Sequence, residues 1–302
     1  MEWFELLKSI IYGIVQGVTE WLPISSTGHL ILLEEWLPLG AGTSPEQSSA
    51  FFSLFMVSLH LGSIMAVIVN FWPELWPFRR RKTLLARGVP YDKSAYISLF
   101  SDSLLMSRSQ LRMWINIVIA VIPAGIVGLL FDDFFEELFY NPFSVAIALI
   151  VVGIIFILME NYLANKESKI TEMEQISWRS ALIIGLFQVI AAIFPGTSRS
   201  GITILGGLLL GLSRPLAAKF TFYLAVPVMI GANVLKLITY HAAVSSTQLL
   251  VLFVGTLTAF LVSILVIRGL LKFIRSNNFK PFAWYRIALG VLVLALAFAG
   301  MI

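Results

Sequence analysis

The sequence predicts an all-α integral membrane protein with six transmembrane spans and two re-entrant helical pairs. They are arranged as two inverted-topology repeats, each a re-entrant hairpin followed by three spans. Three observations predict this. Hydrophobic residues make up 58% of the 302 and charged residues only 13%, against about 25% charged in ordinary soluble domains. The apolar residues gather into stretches of two lengths, and the shorter stretches come as two pairs that share residues at a constant offset. A soluble fold of this size has no interior for so much apolar side chain, and disorder is excluded by the same composition.

A bilayer core about 30 Å thick takes about 20 apolar residues in a helix. Stretches 50–72, 114–131, 143–159, 216–239, 249–267 and 284–302 meet or approach that length. Stretches 4–15, 21–33, 181–194 and 202–212 do not; at about 1.5 Å per residue they reach roughly 16–21 Å. Each short pair is joined by a turn containing Pro and Ser, which suits a hairpin that enters and leaves on one face. One broken spanning helix per pair is the alternative. The chain is expected to be a single polytopic domain, with repeat one over about 1–160 and repeat two over about 175–302.

Charge sets the sidedness. Connection 73–113 carries Arg79, Arg80, Arg81, Lys82, Arg87, Lys93, Arg108 and Arg112 against Glu74, Asp92 and Asp102. Stretch 268–286 carries Arg268, Lys272, Arg275, Lys280 and Arg286 and no acid. Both are expected on the cytoplasmic side. Loop 132–142 holds Asp132, Asp133, Glu136 and Glu137 without a Lys or Arg, loop 241–248 holds no Asp, Glu, Lys or Arg, and both are expected outside together with the two termini. Trp72, Trp76, Trp114 and Trp284 fall at the expected cytoplasmic ends, where an interfacial belt belongs. The net charge of +4 therefore marks loops, and no nucleic-acid partner is expected. The absence of Cys excludes disulfides and thiolate chemistry. The acid-containing N-terminal flank does not read as a signal peptide.

The first short pair reads GIVQGVTEWLPISSTGHL from Gly13, and the second GLFQVIAAIFPGTSRSGI from Gly185. At an offset of 172, Gly13/Gly185, Gln16/Gln188, Pro23/Pro195 and Ser26/Ser198 coincide; at 169, Phe51/Phe220 and Gly62/Gly231 do. Three spans after each pair is an odd number, so the halves would be inverted, with a site where the two breaks meet near the midplane.

The breaks carry the chemistry. Pro23 and Pro195 interrupt helical runs. Ser25, Ser26 and Thr27 follow one, and Gly196, Thr197, Ser198 and Ser200 the other. Hydroxyls there can cap a new helix, whose free N–H groups and dipole favour an anion. Arg199 would be costly at mid-membrane and should meet an anion, either a phosphate held bidentately or Glu20 as a structural counter-ion. Glu20, with Gln16 on the same helix face, could hold a divalent cation or transfer a proton. Ser26 and His29, three residues apart, could supply a hydroxyl nucleophile and an imidazole, or a cap and an interfacial His. His60, Asn116 and Asn233 read as interhelix hydrogen bonding, Lys236 as snorkelling, and the RRRK run at 79–82 as a topology signal.

QGVTEWLPISSTGHL and PGTSRSG together resemble the two signature motifs of the undecaprenyl-diphosphatase family, the bacterial bacitracin-resistance phosphatases, and the likeness covers nearly the whole chain. The resemblance implies removal of the terminal phosphate of undecaprenyl diphosphate. It also implies a place in the bacterial inner membrane with the site toward the periplasm, and use of a divalent cation, Mg2+ or Ca2+. The family's acidic motif, Glu or Gln followed four residues later by Glu, falls on Gln16 and Glu20. Its Ser-Ser-Thr-Gly-His run falls on Ser25 to His29, and its second motif on Pro195 to Gly201 with Thr203 just beyond. The implied catalytic set is Glu20, Ser26, His29 and Arg199, with Glu20 also as metal ligand. Gln16, Ser25, Thr27, Gly196, Thr197, Ser198, Ser200 and Thr203 are implied to bind the substrate. The partners are a polyprenyl diphosphate lipid and the bilayer, with oligomeric state open, a homodimer included. The competing class is a lipid-phosphate transporter or flippase, which shares inverted repeats and needs no nucleophile. An ion channel is disfavoured, since no filter sequence or charge ring is present.

Overall fold

A computed structural model describes residues 2–40, 45–81, 94–99, 103–240 and 244–302. Ten α-helices run through them: α1 (Glu2–Thr19), α2 (Ser26–Trp36), α3 (Pro45–Leu75), α4 (Arg108–Phe139), α5 (Pro142–Leu163), α6 (Trp178–Ile193), α7 (Arg199–Leu209), α8 (Arg214–Thr239), α9 (Ser246–Phe273) and α10 (Lys280–Phe298). Six of them, α3, α4, α5, α8, α9 and α10, contain a stretch long and apolar enough to cross a membrane, one for each expected span. Large apolar side chains such as Leu129, Phe253 and Leu265 point outward from these helices. That arrangement is unfavourable in water and natural in lipid. The chain is a multi-pass membrane protein.

Local chemistry sets the helix starts. Asn141 caps α5 through Ser144 N–H, with Pro142 in the first turn, where its missing N–H costs nothing. Ser213 caps α8. Ser245 and Gln248 close a capping box on α9.

Two expectations need amendment. The 73–113 connection is not wholly helical or loop. Strands β1 (Phe78–Arg80), β2 (Tyr96–Leu99) and β3 (Leu104–Ser107) form an antiparallel sheet in the order β1-β3-β2, with Met106 opposite both Phe78 and Ile97. Lys82, Arg87, Asp92, Lys93 and Asp102 lie outside the described residues. The acidic stretch expected as a loop at 132–142 is helix as far as Phe139, because nothing in DDFFEELF breaks a helix before Asn141 and Pro142.

Packing pairs the elements crosswise. α1 lies along α9 and α6 along α4, α5 and α10 lie along each other, and α3 crosses α8. Glycine makes two of these approaches close. A Cβ at Gly13 would stand 2.6 Å from the Gly255 carbonyl oxygen on α9, and one at Gly185 would collide with the Ala120 carbonyl on α4.

The short helices are interrupted between Thr19 and Ser26 and between Ile193 and Arg199. Each break ends on a serine in the same unusual conformation, Ser25 at φ 72 and ψ 103 and Ser198 at φ 66 and ψ 114, the two non-glycine residues with positive φ among those described. Each accepts a hydrogen bond from the glycine N–H three residues on, Gly28 or Gly201. Ser198 therefore corresponds to Ser25, not to Ser26 as the constant offset suggests. The second break holds one more residue between its Pro and its cap, and Gly196 there has a φ of 91 that suits glycine.

Candidate active site

The two breaks meet at Glu20. Its Oε1 accepts a hydrogen bond from Arg199 Nη2 at 2.6 Å, although the two residues are 179 apart in sequence. Its Oε2 accepts from Ser26 Oγ at 3.1 Å and from Gln16 Nε2 at 3.1 Å. The Ser200 hydroxyl donates to the Glu20 backbone carbonyl at 3.1 Å, binding the second break to the first. A carboxylate buried this deeply persists only when paired and hydrogen-bonded. Arg199 keeps a donor in reserve, because its Nη1 is buried without a hydrogen-bond partner.

A second arginine holds the breaks together from behind. Arg286 on α10 is fully buried and donates to the carbonyls of Pro23 at 3.1 Å, Gly196 at 3.0 Å and Thr197 at 2.9 Å. The charge pattern counted it in a basic stretch expected at the cytoplasmic face, whereas the structure buries its side chain. Its guanidinium lies in the interior, where five N–H donors suit the carbonyls that each Pro turn leaves unpaired. The signal in the sequence was its place inside the expected 284–302 span.

A cavity of about 310 Å³ opens over this junction. Of the expected site residues, Glu20, Ser26, Thr27, Gly196, Ser198, Arg199 and Ser200 line it. The others are placed differently. Gln16 is buried behind Glu20 with its Oε1 unpartnered. Ser25 is the helix cap. The Thr197 hydroxyl donates to the Phe194 carbonyl, and Thr203 hydrogen-bonds the Arg199 carbonyl and Thr221. His29 is tied at both ring nitrogens, Nδ1 to the Ser25 carbonyl at 2.7 Å and Nε2 to the Tyr285 hydroxyl at 2.8 Å. The cavity wall also includes His60, Met229 and Asn233, which sequence reasoning had read as packing or left aside. An ionisable residue inside an apolar span is a functional candidate by default, and that signal was present for His60.

The cavity adjoins an apolar one of about 480 Å³ between α4, α6 and α8. Arg199, Ala191, Val228 and Ala232 line both. Gly125, Gly128 and Gly231 border the apolar space, and added methyl groups at Gly128 and Gly231 would touch nothing within 4 Å. A polar, donor-rich chamber with an apolar annex matches an amphiphile that carries an anionic head.

The donor set around Glu20, where the resemblance implies a divalent cation, is not a ready-made protein cage for one. Both carboxylate oxygens already accept from Arg199, Ser26 or Gln16. Among the described residues no three His, Cys, Asp or Glu side chains gather. A cation held here would take one carboxylate oxygen from the protein and fill its shell with water and substrate phosphate oxygens, the usual arrangement for Mg2+.

Comparison with known proteins agrees with the site's character. Residues 9–292 match the family described as Bacitracin resistance protein BacA. An undecaprenyl-diphosphatase of Desulfitobacterium hafniense is 46% identical over 290 residues, covering 96% of this chain and 95% of the relative. Undecaprenyl-diphosphatase 1 of Clostridium acetobutylicum is 45% identical over 97% of this chain and 98% of its own length. The undecaprenyl-diphosphatase of Enterococcus faecalis is 42% identical over the same shares.

Proposed function

The chain belongs to the BacA family, and we propose that it works as an undecaprenyl-diphosphatase through the junction of its two breaks. It is a hydrolase of the lipid diphosphate, and the activity accounts for bacitracin resistance. The observation that carries the site assignment is the chain of hydrogen bonds from Ser26 Oγ through Glu20 to Arg199, set at the floor of a cavity with an apolar annex.

In this reading the prenyl chain lies in the apolar space between α4, α6 and α8, and the diphosphate reaches the polar cavity laterally. Arg199 Nη1, the Ser198 and Ser200 side of the break, and the backbone N–H groups opening α2 and α7 receive the phosphate oxygens. Ser26 Oγ attacks the terminal phosphorus. The Oγ–P bond forms, the anhydride P–O bond breaks, and the lipid monophosphate leaves. The hydroxyl proton passes to Glu20 Oε2, to which it already points. Water then cleaves the phosphoserine and releases phosphate. Charge developing on the phosphoryl oxygens is met by Arg199 and the two helix starts, and such positioning supplies most of the catalysis in phosphoryl transfer. His29, expected to carry the proton, has both ring nitrogens engaged; here it steadies the Ser25 carbonyl next to the nucleophile.

The same reading includes the inverted repeat, with halves at about 1–160 and 175–302 in one polytopic domain. Its support is the crosswise packing of α1 on α9 and α6 on α4, the tight glycine at the same place in each pair, and the matching serine caps. The basic 79–81 segment beyond α3, set against an acidic 132–142 stretch and a 241–248 stretch without Asp, Glu, Lys or Arg, supports an inner-membrane orientation with the site outward.

The test is phosphate release from undecaprenyl diphosphate by purified protein in detergent. Release by the wild type that Glu20→Gln abolishes is the expected result. Lipid binding without release by well-folded wild type would overturn the reading in favour of a lipid-phosphate transporter.

A further inference from the structure

Two described histidines sit against the helix interior, and one device orients both. His29 Nδ1 meets the Ser25 carbonyl and His60 Nδ1 the Met56 carbonyl, each at 2.7 Å. A carbonyl only accepts, so each neutral imidazole carries its proton on Nδ1 and presents Nε2 as an acceptor. The two Nε2 atoms then differ. That of His29 is engaged by Tyr285. That of His60 makes no hydrogen bond among the described residues, faces the cavity, and lies 3.6 Å from Glu20 Oε2.

The mechanism above leaves a proton on Glu20, and that is a poor resting place. A protonated Glu20 forfeits its buried pairing with Arg199 just when Arg199 must hold phosphate. Gln16, the other side chain bonded to Glu20 from α1, is an amide and takes no proton. The charged groups facing His60 are Glu20 at the α1 break and Arg199 at the start of α7. The α8 wall contributes Val228, Met229, Ala232 and Asn233, none titratable, and α9 carries no charge before Arg268.

We propose that His60 Nε2 takes the Ser26 proton, relayed by Glu20 Oε2, and holds it for the lifetime of the phosphoserine; this rests on the phosphatase reading. In the first half-reaction Ser26 and the lipid diphosphate give phosphoserine and lipid monophosphate, and neutral His60 becomes imidazolium. In the second, water adds to phosphorus as the Oγ–P bond breaks, the imidazolium returns its proton through Glu20 to Ser26 Oγ, and dihydrogen phosphate leaves. Glu20 stays paired with Arg199 in both resting stages. His60 acts through Glu20, so its mark is on proton handling rather than on lipid affinity.

The experiment is phosphate release from undecaprenyl diphosphate by the purified full chain at one fixed pH. Wild type, His60→Gln and His60→Ala are compared. In His60→Gln kcat should fall about 100-fold, the scale of a lost proton acceptor, with KM within about twofold. Added imidazole should restore part of the His60→Ala rate, a rescue that a packing role would not give. Near wild-type kcat in His60→Gln, or a folded His60→Ala that imidazole does not rescue, overturns the proposal. Wild type that releases no phosphate overturns the phosphatase reading instead.

Discussion

The two breaks use one backbone device to present two different side chains. Each has a proline, a serine held at positive φ, and a glycine N–H capped by that serine. The first residue of the helix that follows is Ser26 in one case and Arg199 in the other, and both side chains converge on Glu20. The first break also supplies Glu20, for which the second has no counterpart at the junction. Two alike backbone turns thus deliver unlike side chains to one point, a hydroxyl and a carboxylate from the first break and a guanidinium from the second. The flanking spans differ in the same way. On one side Gly62 of α3 closes against the Thr256 carbonyl of α9; on the other its partner by offset, Gly231 of α8, borders open space next to α4.

The comparison can be broken most forcefully at Arg199. Arg199→Ala should lower phosphate release at least 1,000-fold, about 4 kcal/mol of transition-state stabilisation, and should also weaken lipid binding. A loss under tenfold would remove Arg199 from the site. Arg286→Met leaves three carbonyls at the two breaks without their donor, and should lower stability by about 3–5 kcal/mol in thermal or denaturant unfolding. An unaltered melting curve would mean that the breaks hold together without it. Gly231→Leu should fill the gap between α4 and α8. The expected result is a KM roughly tenfold higher for undecaprenyl diphosphate, on the scale of one displaced apolar contact, with little change for a short-chain prenyl diphosphate. Equal effects on both lipids would place the tail elsewhere. Ser198→Ala removes a cap and should cost about 1 kcal/mol of stability, with a rate loss much smaller than that at Ser26. Matching losses at Ser26 and Ser198 would erase the difference between the breaks.

Much of this was legible in the residues. Hydropathy placed all six spans, since lipid imposes a length and a composition that no other setting imposes. Pro23, Pro195 and the following hydroxyls marked both breaks, because proline cannot continue a helix and serine can start one. What failed needed the third dimension. Ser26 and Ser198 aligned by offset, but the extra residue at Gly196 shifts the cap by one, and an ungapped comparison cannot register a turn of different length. Arg286 looked like one more basic residue near a span end, and only the fold brings Pro23, Gly196 and Thr197 around it. His60 lay in an apolar run like many helix-bonding histidines, and what distinguishes it is a partner 40 residues away, Glu20. The donors that meet both Glu20 oxygens come from three separate places in the chain, Gln16, Ser26 and Arg199, which no local pattern shows.

The central claim, that the first break supplies the reacting hydroxyl and the second the binding charge, is tested most directly on Ser26→Ala, with undecaprenyl diphosphate binding and phosphate release measured on the same preparation. The account predicts lipid affinity within a few-fold of wild type and phosphate release reduced about 1,000-fold or more. Near-full release from a Ser26→Ala protein that binds the lipid normally would contradict it.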